Sequence, residues 1–83
     1  MLQRSIRHSL NKLQDDIDLA VAKRIKKIRK TKGITQEDFA ELAGLNRTHL
    51  YRLESGKQSM TLRTLKRIAD SLEVKVRELV KDL

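Results

Sequence analysis

Two arginines, Arg47 and Arg52, flank a threonine and a tyrosine in the run Arg47, Thr48, His49, Leu50, Tyr51, Arg52, Leu53, Glu54, Ser55. With Leu50 and Leu53 facing inward, the helical advance of about 100° per residue turns Arg47, Thr48, Tyr51, Arg52 and Ser55 outward together. A guanidinium is a planar fork with paired donors, and the O6/N7 edge of guanine is a matching pair of acceptors, discriminating by about 1–3 kcal/mol when both bonds form. Thr48 adds a methyl group suited to thymine and a hydroxyl suited to a base or a phosphate, and the Tyr51 phenol reaches for a phosphate. This is the chemistry of reading an anionic, base-bearing surface.

Bond-making chemistry finds no comparable support. His8 and His49 lie far apart, with no cysteine and no metal-ligand spacing around them, so no metal site is expected and His49 reads as an exposed early-helix residue. Serine, histidine and aspartate occur without a nucleophile motif, and the three glycines are too scattered for a phosphate loop. No enzyme activity and no cofactor are expected.

The whole chain has the same electrical bias. Its 83 residues carry 19 Lys plus Arg against 11 Asp plus Glu, a formal charge of +8, which points to a polyanionic partner. Only Phe39 and Tyr51 are aromatic, too few for the stacking platforms that single-stranded nucleic acid requires, so double-stranded DNA is favoured. The opening residues show neither a secretory signal nor a membrane span, and Trp or Phe anchors for a membrane surface are missing from residues 1–31. Together with the lack of cysteine this predicts a cytoplasmic protein whose stability comes from packing alone.

The elements that must hold these side chains read as all-α and as one domain preceded by an extension. No proline occurs, and Gly33, Gly44 and Gly56 are spaced as stops between short helices. From Leu2 to Ile28 the apolar steps of three or four keep one stripe. The cluster Asp15, Asp16 and Asp18 nevertheless suggests a helix start, which divides the stretch into helices near 3–14 and 17–31. Thr35 opens a helix over 36–43, Asn46 one over 47–55, and Thr61 one over 62–72 with inner residues Leu62, Leu65, Ile68, Ala69 and Leu72; a last helix spans about 75–82. Phe39 and Met60 read as core or loop packing. The resulting division is an N-terminal helical extension over residues 1–16 and a DNA-binding domain over 17–83. The extension is a packed helix, a dimer arm or a flexible basic arm.

Within Gln36 to Gly56, QEDFAELAGLNRTHLYRLESG, Ala40 permits close helix approach, Gly44 makes a left-handed turn, Leu45 plugs the corner, and Leu50 and Leu53 pin the second helix. The run from about Ile25 to Leu79 resembles the phage-repressor type of helix-turn-helix, the Cro and cI-like or xenobiotic-response-element family. The resemblance implies a five-helix, lambda-repressor-like DNA-binding domain acting as a homodimeric transcriptional regulator on a palindromic operator. It implies base reading by Arg47, Thr48 and Arg52, a backbone or base contact by Gln36, and an internal ion pair between Arg29 and Glu54. Tyr51, Ser55 and Lys57 join Gln36 as backbone or mixed contacts. Two positions depart from the family pattern, Met60 where many members have proline and Glu73 where they have glycine.

Within that family, the Arg47-Thr48-His49 segment and SMTLRTLKRIADSLEV resemble the small controller proteins of restriction-modification systems. Phage and plasmid repressors share the core. So do antitoxins of toxin modules, the alternative reading, in which the chain binds a protein partner such as a toxin and regulates its own gene. Three features keep two readings each. The basic run from Lys23 to Lys32 is a solvated helix face or a phosphate contact. Ser59 and Arg63 belong to a solvated loop or a phosphate clamp. Val76, Leu79 and Val80 form a dimer interface or pack against the first helix.

Overall fold

The computed structural model describes the backbone of residues 2–83 and the side chains of residues 17–83; the side chains of the expected extension, 1–16, and His8 among them, lie outside the described residues. The chain forms five helices, α1 (Leu2–Thr31), α2 (Gln36–Ala43), α3 (Arg47–Glu54), α4 (Leu62–Ser71) and α5 (Val76–Val80), with no strand among the described residues. The all-α expectation holds. The break expected near residues 15–17 does not occur, because neither proline nor glycine interrupts α1 and its apolar stripe stays in one phase. Asp18, read as part of a helix start, instead accepts a hydrogen bond from Ser59 Oγ at 2.9 Å.

The short helices are delimited by side chains that satisfy their first free backbone donors. Thr35 Oγ1 accepts from the Asp38 N–H at 3.1 Å, Asn46 Oδ1 from His49 at 2.7 Å, and Thr61 Oγ1 from Thr64 at 3.0 Å. Between α2 and α3, Gly44 adopts φ 69° and the Leu45 N–H reaches back to the Ala40 carbonyl at 2.9 Å. That left-handed residue lets the chain turn within three residues, so that α3 packs against α2, where Ala40 is buried.

Val21 and Ile25 from α1, Phe39 and Ala40 from α2, Leu50 and Leu53 from α3, Leu65, Ile68 and Ala69 from α4 with the following Leu72, and Leu79 from α5 make one core. Ile28, Leu45, Met60 and Val76 pack against its rim. Leu62, expected on the inner stripe of α4, is instead 85% exposed, since it opens the helix at the stripe's outer edge. One member of the candidate dimer set, Leu79, is corrected in the same way. Leu79 is wholly enclosed within the monomer, while Val76 is partly buried against the core and Val80 is 37% exposed.

Candidate nucleic-acid interface

Helix α3 has two faces of opposite character, and its inner face is fastened at three points. Leu50 and Leu53 sink into the core, and Glu54, last residue of the helix, is buried with them. A buried carboxylate requires compensating donors. Glu54 finds three: Arg29 Nε donates to Oε2 at 2.7 Å, Arg29 Nη2 to Oε1 at 3.2 Å, and Gln36 Nε2 to Oε1 at 2.9 Å. Arg29 Nη1 donates to the Ile34 carbonyl at 2.7 Å, so a single guanidinium joins α1, the turn after it and α3. The side chains of the pair are only 7% and 2% exposed.

Arg47, Thr48, Tyr51 and Arg52 form the outer face, all exposed, with Tyr51 67% open to solvent. Gln36, Arg47, Thr48, Tyr51 and Arg52 line one hollow along this face, floored by Leu50. Asn46, Thr48, His49, Arg52 and Gln58 line a second hollow on the other side of Thr48 and Arg52. Two arginine forks, a hydroxyl, a phenol and an amide thus converge on a convex helix with a groove along each flank. That arrangement matches the width of an α-helix and its outward donors to a DNA major groove.

The remaining expected residues separate into those with free donors and those without. Lys57 lies exposed just past α3, its backbone N–H closing the helix on the Arg52 carbonyl at 3.2 Å. Ser55 turns its hydroxyl proton back onto the same carbonyl at 2.9 Å, so the DNA-facing donor expected of it is spent inside the helix terminus. Gln36 commits one amide hydrogen to Glu54 and keeps the other hydrogen and its carbonyl oxygen. Ser59, expected either in a clamp or in solvent, is tied to α1 through Asp18.

Sequence reasoning missed three contacts around α3. Gln36 and Glu37, neighbours at the start of α2, reach opposite ends of α3, Gln36 meeting the buried Glu54 and Glu37 the exposed Arg47, whose Nη1 lies 3.3 Å from Glu37 Oε1. Gly56, φ 74°, lies so close to α1 that an added Cβ would sit 2.8 Å from Leu19 Cδ1 and 3.0 Å from Leu19 Cα. Glycine spacing marked a stop at Gly56, but nothing in the sequence pointed to the α1 backbone beside it. Among the described residues no group of three metal-ligating side chains occurs, and no helix is long and apolar enough to cross a membrane.

Comparison with known proteins agrees with this geometry. Residues 25–79 match the family described as helix-turn-helix. The control protein C.MunI of a Mycoplasma species is 34% identical over 70 residues, which cover 83% of this chain and 95% of that protein. The crystal structure of the restriction-modification controller protein C.AhdI from Aeromonas hydrophila is similar with a TM-score of 0.72 and 31% identity, over 75% of this chain and 94% of the other. The controller protein C.Esp1396I, solved as a tetramer in complex with its natural 35 base-pair operator, is similar with a TM-score of 0.68 and 34% identity, over 78% and 96% of the two chains.

Proposed function

The chain belongs to the helix-turn-helix family, and from that membership we propose that it is a sequence-specific transcriptional regulator that binds double-stranded DNA as a homodimer, in the manner of restriction-modification controllers. The observation that carries this reading is the outer face of α3, where Arg47, Thr48, Tyr51 and Arg52 stand exposed above a helix whose other side is locked into the core. Residues 17–83 are the DNA-binding domain. Arg47 and Arg52 read base edges with help from Thr48, while Gln36, Tyr51 and Lys57 hold the sugar-phosphate backbone. Two copies related by a two-fold axis present their α3 helices to successive major grooves about one helical turn apart, which calls for a palindromic operator. Val80 belongs to the surface that joins the copies. The reading includes no catalytic step, and it locates the protein in the cytoplasm, with its DNA.

The test is selection of bound duplexes from a random DNA pool at two salt concentrations, which separates charge-driven association from base readout. Recovery at both concentrations of a two-fold-symmetric motif, with half-sites about one turn apart, is the expected result. If no motif emerges and binding vanishes at the higher salt, the basic surface acts as an electrostatic patch and the regulator reading falls.

A further inference from the structure

Resting on that reading, we infer that Glu37 is a specificity-determining residue that filters what Arg47 is permitted to bind. Arg47 is the first residue of α3, with a side chain 73% exposed, and the Glu37 carboxylate, 72% exposed, faces its Nη1 across the α2–α3 junction at 3.3 Å. An exposed pair of this kind contributes at most about 1 kcal/mol, so it does not lock the arginine away from DNA. Its importance lies in which ligands the arginine can share with it.

A guanidinium has five N–H donors in a fixed fork, and Glu37 engages one nitrogen. The guanine O6/N7 edge supplies two acceptors and no net charge, so Arg47 binds it with its positive charge still balanced by Glu37. A phosphate is different. Bringing Arg47 to the backbone sets a phosphate anion beside the Glu37 carboxylate, and the two like charges compete for one cation at short range. Glu37 therefore leaves base reading in place and penalises the phosphate-bound mode, which supplies nearly all sequence-independent binding. The filter acts on the ratio of specific to non-specific affinity.

The adjacent Asp38 is a matched control. It is also an exposed carboxylate in the first turn of α2, but it lines a separate hollow with Gly33, Ile34, Glu41 and Leu42, away from the reading face. Glu37→Gln and Asp38→Asn remove the same unit of charge from the same turn. Only the first frees Arg47.

The experiment measures affinity of the wild type, Glu37→Gln, Asp38→Asn, Arg47→Ala and the Glu37→Gln/Arg47→Ala double variant for the selected duplex and for a scrambled duplex, across a salt series. In Glu37→Gln the scrambled duplex binds more tightly and the specific-to-scrambled ratio falls about two- to fivefold, the scale of an exposed charge interaction. In Asp38→Asn both affinities rise together and the ratio stays. In the Arg47→Ala background, Glu37→Gln no longer changes the ratio. Equal ratios in Glu37→Gln and Asp38→Asn, or a ratio change that persists without Arg47, overturn the inference. A wild type that shows no preferred duplex overturns the regulator reading itself, a result distinct from either.

Discussion

Removal of the Glu54 carboxylate is the most searching perturbation of this molecule, because three elements meet on it. In Glu54→Ala, Arg29 loses its 2.7 Å and 3.2 Å partners and keeps only the Ile34 carbonyl, while Gln36 loses the acceptor for its amide. Arg29 is 6% exposed, so its stranded charge cannot be resolvated by a small side-chain movement. Breaking a buried pair from one side costs about 3–5 kcal/mol, and a domain of this length has only about 4–12 kcal/mol to lose. Glu54→Ala therefore loses at least about a quarter of that margin and, at its lower end, all of it. The double variant Arg29→Met/Glu54→Leu buries neither charge and recovers more than half of the loss, because an apolar pair of similar volume stands in for a buried ion pair at little net cost. Urea unfolding followed by circular dichroism measures all three proteins. A single variant within about 1 kcal/mol of wild type would show that the pair is not effectively desolvated. A double variant as unstable as the single one would show that the loss is a matter of packing and not of charge.

Other outcomes follow from backbone geometry and from the division of labour along α3. Replacing Arg47 or Arg52 with alanine relaxes base preference at one position of each half-site by about 1–3 kcal/mol in competition binding, whereas Lys57→Ala weakens all duplexes alike and lowers the salt slope by about 1. Glu73 is held at φ 58° with an exposed side chain, in the left-handed region that costs a non-glycine residue roughly 1–2 kcal/mol. Glu73→Gly therefore raises the unfolding free energy measured in urea by up to about 1 kcal/mol, after the larger entropy of an unfolded glycine is deducted. Gly33→Ala and Gly56→Ala share positive φ values of 71° and 74°, but an alanine Cβ meets nothing within 4 Å at Gly33 and the Leu19 backbone at Gly56. Thermal unfolding shows the second variant to be clearly the less stable, and equal losses at the two sites would contradict the close approach of the α3–α4 loop to α1.

Apart from the Arg29–Glu54 pair, which the family resemblance implied across 25 positions, what was legible in the sequence was local. Thr35, Asn46 and Thr61 announced three helix starts, because a side-chain oxygen at that offset satisfies a backbone donor whatever the rest of the chain does. Gly44 and the inner Leu50 and Leu53 were readable for the same reason, each following from the period or stereochemistry of its own segment. The aspartates near residue 16 misled, since Asp18 was engaged by a partner 41 positions away and not by its own helix. Leu79 could not be assigned to core or to interface from an apolar pattern alone, because both bury the same kind of surface. The contacts of Gln36 and Glu37 with the two ends of α3 were invisible in the sequence, since they depend on the crossing angle of two helices and no spacing rule specifies it.

The two faces of α3 also bear on how such a molecule changes over generations. The groups that hold the helix in place, Asn46, Leu50, Leu53 and Glu54, share no position with the exposed Arg47, Thr48, Tyr51 and Arg52. Substitution at exposed sites of this kind usually alters stability by no more than about 0.5 kcal/mol. The outer residues are thus free to diverge while the scaffold is inherited intact. A duplicated gene could acquire a new recognition sequence through a few codons, without passing through an unfolded ancestor.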